Sequence, residues 1–175
     1  MSVASIAILI MILIYGAVLI VSIGMAVVKI IALWKLFDKA GEPGWSSIVP
    51  VYNYMQQIKI AFGSYKLAWI YLALCGGYMV FTIISGIMNI FAENSNDLTL
   101  LQLGLMCLAF LMIIPLYVIA GYTNYMFAKS YGKSTAFCVL SIFFSGIMIL
   151  IMGFDKNTYY VGPKGISQYD QYGGL

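Results

Sequence analysis

The chain has 175 residues, 63% of them hydrophobic and 9% charged, with a formal net charge of +3 and a mean hydropathy of +0.97. Soluble domains carry about 25% charged residues, so this composition excludes one. The length also leaves no room beside a membrane part for a separate catalytic domain of the usual ~100 residues. The expectation is an all-α integral membrane protein with one membrane domain over residues 1–154 and a polar Tyr/Gly-rich tail over 155–175.

The first apolar run covers about 4–34, "ASIAILIMILIYGAVLIVSIGMAVVKIIALW". Its length exceeds the ~20 residues that cross a bilayer, which predicts a tilted or protruding helix. It is longer than the apolar core of a cleaved signal peptide, and no lysine or arginine precedes it, so it reads as a retained helix. Three further runs, about 67–91, 100–127 and 135–154, are each long enough to span as helices, which satisfy their own backbone in lipid. None shows the period-2 alternation of a barrel strand. Four transmembrane helices are therefore predicted, with a kink expected at Pro115 in the third.

Orientation follows from the lysines, because the chain has neither arginine nor histidine. With four spans, Lys29, Lys35, Lys39, Lys59 and Lys66 fall on one side together with Lys129 and Lys133. Only Lys156 and Lys164 fall on the other, beside the acidic 2–3 loop with Glu93 and Asp97. The positive-inside bias then puts the 35–66 segment in the cytoplasm and both termini outside. Trp34, Trp45 and Trp69 lie at the same boundary, where a half-wet ring is favoured. The lysines therefore serve anionic lipid and orientation rather than nucleic acid.

Between the first two spans the chain turns polar: "KAGEPGWSSIVPVYNYMQQIK", residues 39–59. Lys39, Gly41, Pro43 and Gly44 belong to a turn, and Pro50 suits the first turn of a new helix. Val51, Tyr54, Met55, Ile58 and Phe62 then recur at helical spacing, with Asn53, Gln56, Gln57 and Lys59 on much of the other side. A helix over about 50–62 is too short to span, so it is expected to lie flat at the cytoplasmic interface or to re-enter the bilayer.

"KAGEPGWSSIVPVYN" resembles the signature K-A-G-x-P-G-W-x4-P-x-Y-N of a family of small bacterial integral membrane proteins of uncharacterised function, relatives of which are fused to type I signal peptidases. "AKSYGKSTAF" (128–137) and "GFDKNTYYVGP" (153–163) resemble that family's later motifs. The chain departs from the family pattern at "FGSYKLAW", where Gly63 and Lys66 are separated. The resemblance implies a bacterial plasma-membrane location and makes Lys39, Gly41, Pro43, Gly44, Trp45, Pro50, Tyr52, Asn53, Gly132, Lys133, Tyr160, Gly162 and Pro163 the candidate interaction or interfacial residues.

No catalytic signature is found. The serine–lysine dyad of the fused peptidases belongs to a part this chain lacks, and no metal or other cofactor is expected. Cys75, Cys107 and Cys138 lack the spacing of a zinc site and read as small apolar residues. Only Lys29 is ionisable within a span, near an end from which it can snorkel. Ala73/Gly77 and Ser141/Ser145 allow close helix contact, within the bundle or between copies. The expected function is that of a non-enzymatic membrane protein working through partners, an accessory or scaffold in protein export or envelope assembly. Its expected partners are the lipid bilayer, other membrane or exported proteins and a further copy of itself, and not nucleic acid. The alternatives are a small channel or transporter and a lipid-binding or bilayer-shaping protein.

Overall fold

The computed structural model describes residues 3–91 and 96–165, and no strand occurs among them. The acidic loop with Glu93 and the end of the tail, 166–175, lie outside the described residues. Six α-helices follow in order: α1 (Val3–Lys39), α2 (Pro50–Phe62), α3 (Lys66–Phe91), α4 (Asn96–Ser130), α5 (Thr135–Phe143) and α6 (Ser145–Phe154). A 3-10 turn, Gly44–Ser47, precedes α2.

Three helical segments are long and apolar enough to cross a membrane: Ser5–Lys39, Lys66–Met88 and Leu103–Ser130. α4 continues through Pro115 as one helix. α3 packs along α4, with Gly77 leaving space for the Met112 side chain. α1 packs instead on α6 and on the 3-10 turn, and every described residue from Ser5 to Lys29 is exposed.

The expected fourth span, 135–154, is two short helices broken at Phe144 (φ −117°, ψ 41°). The sequence there is Phe-Phe-Ser-Gly, and serine and glycine both propagate a helix poorly. Tertiary anchors decide the break. The Ser141 hydroxyl donates to the Asn124 carbonyl at 3.0 Å and Ile142 fits against Gly121, so α5 runs back along α4. Gly153 lies against the backbone of Ala32, and Gly146 and Leu150 share a groove with Ser22 and Lys29, so α6 descends along α1 in the same direction as α1. The two ends are joined by the Lys133–Asp155 ion pair at 2.8 Å. A straight helix over 135–154 would hold its ends ~28 Å apart, which that pair forbids. α5 and α6 are therefore a helical hairpin, and its two ends lie at one end of the bundle.

This corrects the layout expected of the tail. Residues 155–165 lie beside the 39–66 segment: the Lys39 ammonium donates to the Asp155 carbonyl at 2.9 Å, and the Tyr160 hydroxyl to the Ile60 carbonyl at 3.1 Å. The lysines beyond the fourth run thus join those of the loop instead of facing them from the opposite end.

α2 has the expected bounds but not the expected face. Gln56 and Gln57 are buried with Ile58, Ile60 and Ala61, while Val51 is exposed. α2 runs back beside α3, with the Tyr54 and Tyr71 rings 4.3 Å apart and Pro50 and Val51 sharing a groove with Cys75 and Met79. The glutamines can face inward because hydrogen-bond partners await them there.

Most of the buried core lies at the loop end, built from Leu33, Leu36 and Phe37 of α1, Ile60 and Ala61 of α2, Phe127 of α4, Ile149 and Met152 of α6 and neighbouring Tyr131. Lipid tails are as apolar as these side chains, so close packing supplies more of the cohesion than expulsion of water does.

Candidate functional site

Two carboxylates organise the loop end. Glu42 follows the turn at Gly41 (φ 74°), where an L side chain would be strained. It takes the Lys59 ammonium on both oxygens, at 2.6 and 2.8 Å, and the Gln56 amide at 2.9 Å on the second of them. Gln56 in turn accepts from the Tyr65 hydroxyl at 2.7 Å. Within this Glu42–Lys59–Gln56–Tyr65 network each polar group thus meets a charge-assisted or neutral partner, which offsets its removal from water. The hydrogen bond to Glu42 raises the pKa of Lys59, and burial raises that of Tyr65.

Asp155 is the second centre, at the end of α6. Its side chain accepts from Lys133, from the Asn157 N–H at 2.9 Å and from the Thr158 hydroxyl at 2.8 Å. The Lys133 hydrogen bond leads in holding its carboxyl well below the usual aspartate range, and the other two donors reinforce it. An aromatic row joins the two centres. Phe127, Tyr131 and Tyr160 meet edge to face at 5.2 and 5.6 Å, and the Tyr131 hydroxyl donates to the Leu36 carbonyl at 2.6 Å. Lys35 lies over the Phe154 ring at 4.5 Å.

The candidate residues divide by what they touch. Lys39, Lys133 and Tyr160 make the cross-links just given, and Pro163 packs against Gly63. Gly44 is buried where a Cβ would overlap the Trp34 indole and the Asp38 carboxylate. The Pro43 carbonyl accepts from Ser46, and Pro50 opens α2. Asn53 donates to the Ser47 carbonyl at 2.8 Å and accepts from Gln57. Gly132 and Gly162 take positive φ (66° and 141°), and the N–H groups of Val161 and Gly162 both reach the Ser130 carbonyl. Trp45 and Tyr52 form a separate stacked pair at 5.5 Å, and Trp45 is the exposed member.

The two motif regions, far apart in sequence, thus form one structure that ties α1, α2, the end of α4 and the hairpin together. Sequence reasoning missed Glu42, Gln56, Asp155 and Gly153. Asp155 and Gly153 lay within the quoted "GFDKNTYYVGP", but their partners are remote in sequence. Among the described residues no cluster of His, Cys, Asp and Glu could hold a metal ion. Glu42 and Asp155 are both held in ion pairs that cross-link separate segments, and these make this end a clamp.

The model of the family described as "Family of unknown function (DUF5684)" matches residues 45–163. No curated protein and no solved structure matches the chain.

Proposed function

The chain belongs to the DUF5684 family of unknown function, and we propose that it is a non-enzymatic plasma-membrane scaffold that holds a partner's transmembrane segment against the α5–α6 hairpin. In this reading α1, α3 and α4 span the bilayer and the hairpin dips in from the loop face. Nine and ten residues reach ~13–15 Å, about half of the ~30 Å hydrocarbon core. Eight of the nine lysines lie in the loop-end segments and Lys29 lies about three helical turns up α1. That asymmetry favours a cytoplasmic loop end, with the start of α1 outside and residues 155–165 inside.

One observation carries the partner reading, the uncovered break at the hairpin's tip. Around Phe144 the N–H groups of Ser145, Gly146 and Ile147 find no backbone acceptor among the described residues, and the carbonyls of Ser141, Ile142 and Phe143 no backbone donor. Phe143 is 76% exposed and Phe144 53%. Unpaired backbone in hydrocarbon costs several kcal/mol per group, and at membrane depth it is tolerated only against protein or a water-filled cavity. α6 follows α1 while α5 follows α4, so the tip lies where the two arms part. An apolar transmembrane helix of a partner, or of a second copy, would cover the exposed Phe143 and Phe144 and the break between them. A role in export or envelope assembly suits a protein that receives membrane segments.

A photo-crosslinking residue at Phe143 tests this in cells. Protein adducts are expected, and capture of lipid alone would refute the scaffold. If water covers the break instead, the protein is a small channel, and purified protein in liposomes passes ions or small solutes.

A further inference from the structure

A second feature lies at the edge of the clamp and takes no part in it. Phe62, Ser64, Lys66, Leu67, Ile70, Tyr122 and Lys164 line an open groove of ≈ 370 Å³. Lys66 is the first residue of α3 and Lys164 comes from the segment after α6, so tertiary structure alone brings these two cations to one groove. Neither has an ion-pair partner among the described residues, where the ion pairs are Lys59 with Glu42 and Lys133 with Asp155.

The walls are of two kinds. The polar part of the lining is Ser64, Lys66 and Lys164, beside the N-terminus of α3, whose dipole favours an anion. Toward the spans the lining is Leu67, Ile70 and the Tyr122 ring, with Ile70 53% and Tyr122 49% exposed. Charge gives way to apolar surface where a membrane-spanning segment begins.

Lys164 adds an independent observation. It is the one non-glycine residue at positive φ among the described residues (φ 59°, ψ 12°), a conformation strained for an L side chain. The turn is held by the Gly165 N–H on the Gly162 carbonyl and by Gly165 lying against the Lys129 carbonyl. Glycine would take this conformation without strain, so folding gives no reason for lysine here, and a ligand for the ammonium does.

We propose that this groove binds the headgroup phosphate of an anionic glycerophospholipid between Lys66 and Lys164, with an acyl chain laid along Leu67, Ile70 and Tyr122. The recognised chemistry is a phosphate, and the apolar wall makes the lipid rather than a free anion its source.

The test is native mass spectrometry of full-length protein released from nanodiscs of equal phosphatidylglycerol and phosphatidylcholine. The unsubstituted protein should retain phosphatidylglycerol. K66Q and K164Q should each lose retention about tenfold. K156Q, with the same charge change at an exposed lysine outside the groove, should not. K164R should restore most of the binding. K164G should lose the lipid while melting no lower than the unsubstituted protein, which separates loss of the ligand from misfolding. Equal retention by K164G and K156Q would overturn the proposal. So would displacement of the lipid by millimolar inorganic phosphate, which would make the site one for a free anion.

Discussion

Gly153 is where the close approach of α6 to α1 can be tested most directly. A Cβ built there would lie 2.7 Å from the Ala32 Cα, Cβ and carbonyl oxygen. Carbon atoms pack best at 3.5–4.0 Å, so Gly153→Ala demands about 1 Å of movement. The neighbour is helix backbone, which cannot swing away as a flexible side chain can. Overpacking of this kind costs typically ~1–3 kcal/mol, and the rigid neighbour argues for the upper half of that range. Alanine recovers ~1 kcal/mol of helix propensity, leaving a net loss of ~1–2 kcal/mol. At ~2–4 °C per kcal/mol for a chain of this size, the melting temperature should fall by ~2–8 °C. Gly86→Ala in α3 is the control, since nothing lies within 4 Å of a Cβ there and the propensity gain stands alone. Gly77→Ala should fall between them, because only the end of the Met112 side chain must move. The assay is thermal unfolding in mild detergent followed by far-UV circular dichroism. If Gly153→Ala melts with or above Gly86→Ala, the α1–α6 contact is not the tight crossing described, and the account of the hairpin falls with it.

Asp155 predicts a pH dependence of definite sign. Its folded pKa lies below the usual 3.8, so its contribution is complete above that value and is lost as the pH falls through it toward the folded pKa. Urea unfolding should therefore show Asp155→Asn less stable than the unsubstituted protein at pH 7, with the two converging at strongly acid pH; a gap unchanged by acid would exclude the ion pair as its source. For sidedness, Asn157→Cys in a background without the three native cysteines should resist an impermeant maleimide added to intact cells and react after permeabilisation. Labelling in intact cells would put residues 155–165 outside and reverse the proposed orientation.

Much of the plan is legible in the sequence because it depends on local properties. The apolar runs at 67–91 and 100–127 are read correctly, since an unbroken helix is the economical way to satisfy backbone in lipid. The bounds of α2 are legible from Pro50 and from the helical spacing that ends at Phe62, whereas the left-handed Gly63 that closes the helix is seen only in the structure. The glycines and prolines of the motif lie where turns need them. The inward face of α2 was not legible: Gln56 and Gln57 look solvent-facing by type, and only Glu42, Tyr65 and Asn53 make a buried site for them.

What the sequence by itself determined is a helical membrane protein, its turn positions and the clustering of its charge, all of which follow from hydropathy, conformational preference and charge read over windows of a few residues. Whether residues 135–154 pass through or turn back was decided only by tertiary structure. By hydropathy alone, twenty apolar residues read the same as one span or as two half-length helices. The choice rests on contacts between distant positions: Lys133 with Asp155, Gly153 with Ala32, and Tyr160 with Ile60. Such pairings leave no periodic trace in sequence, and here they decide on which side of the clamp the chain emerges.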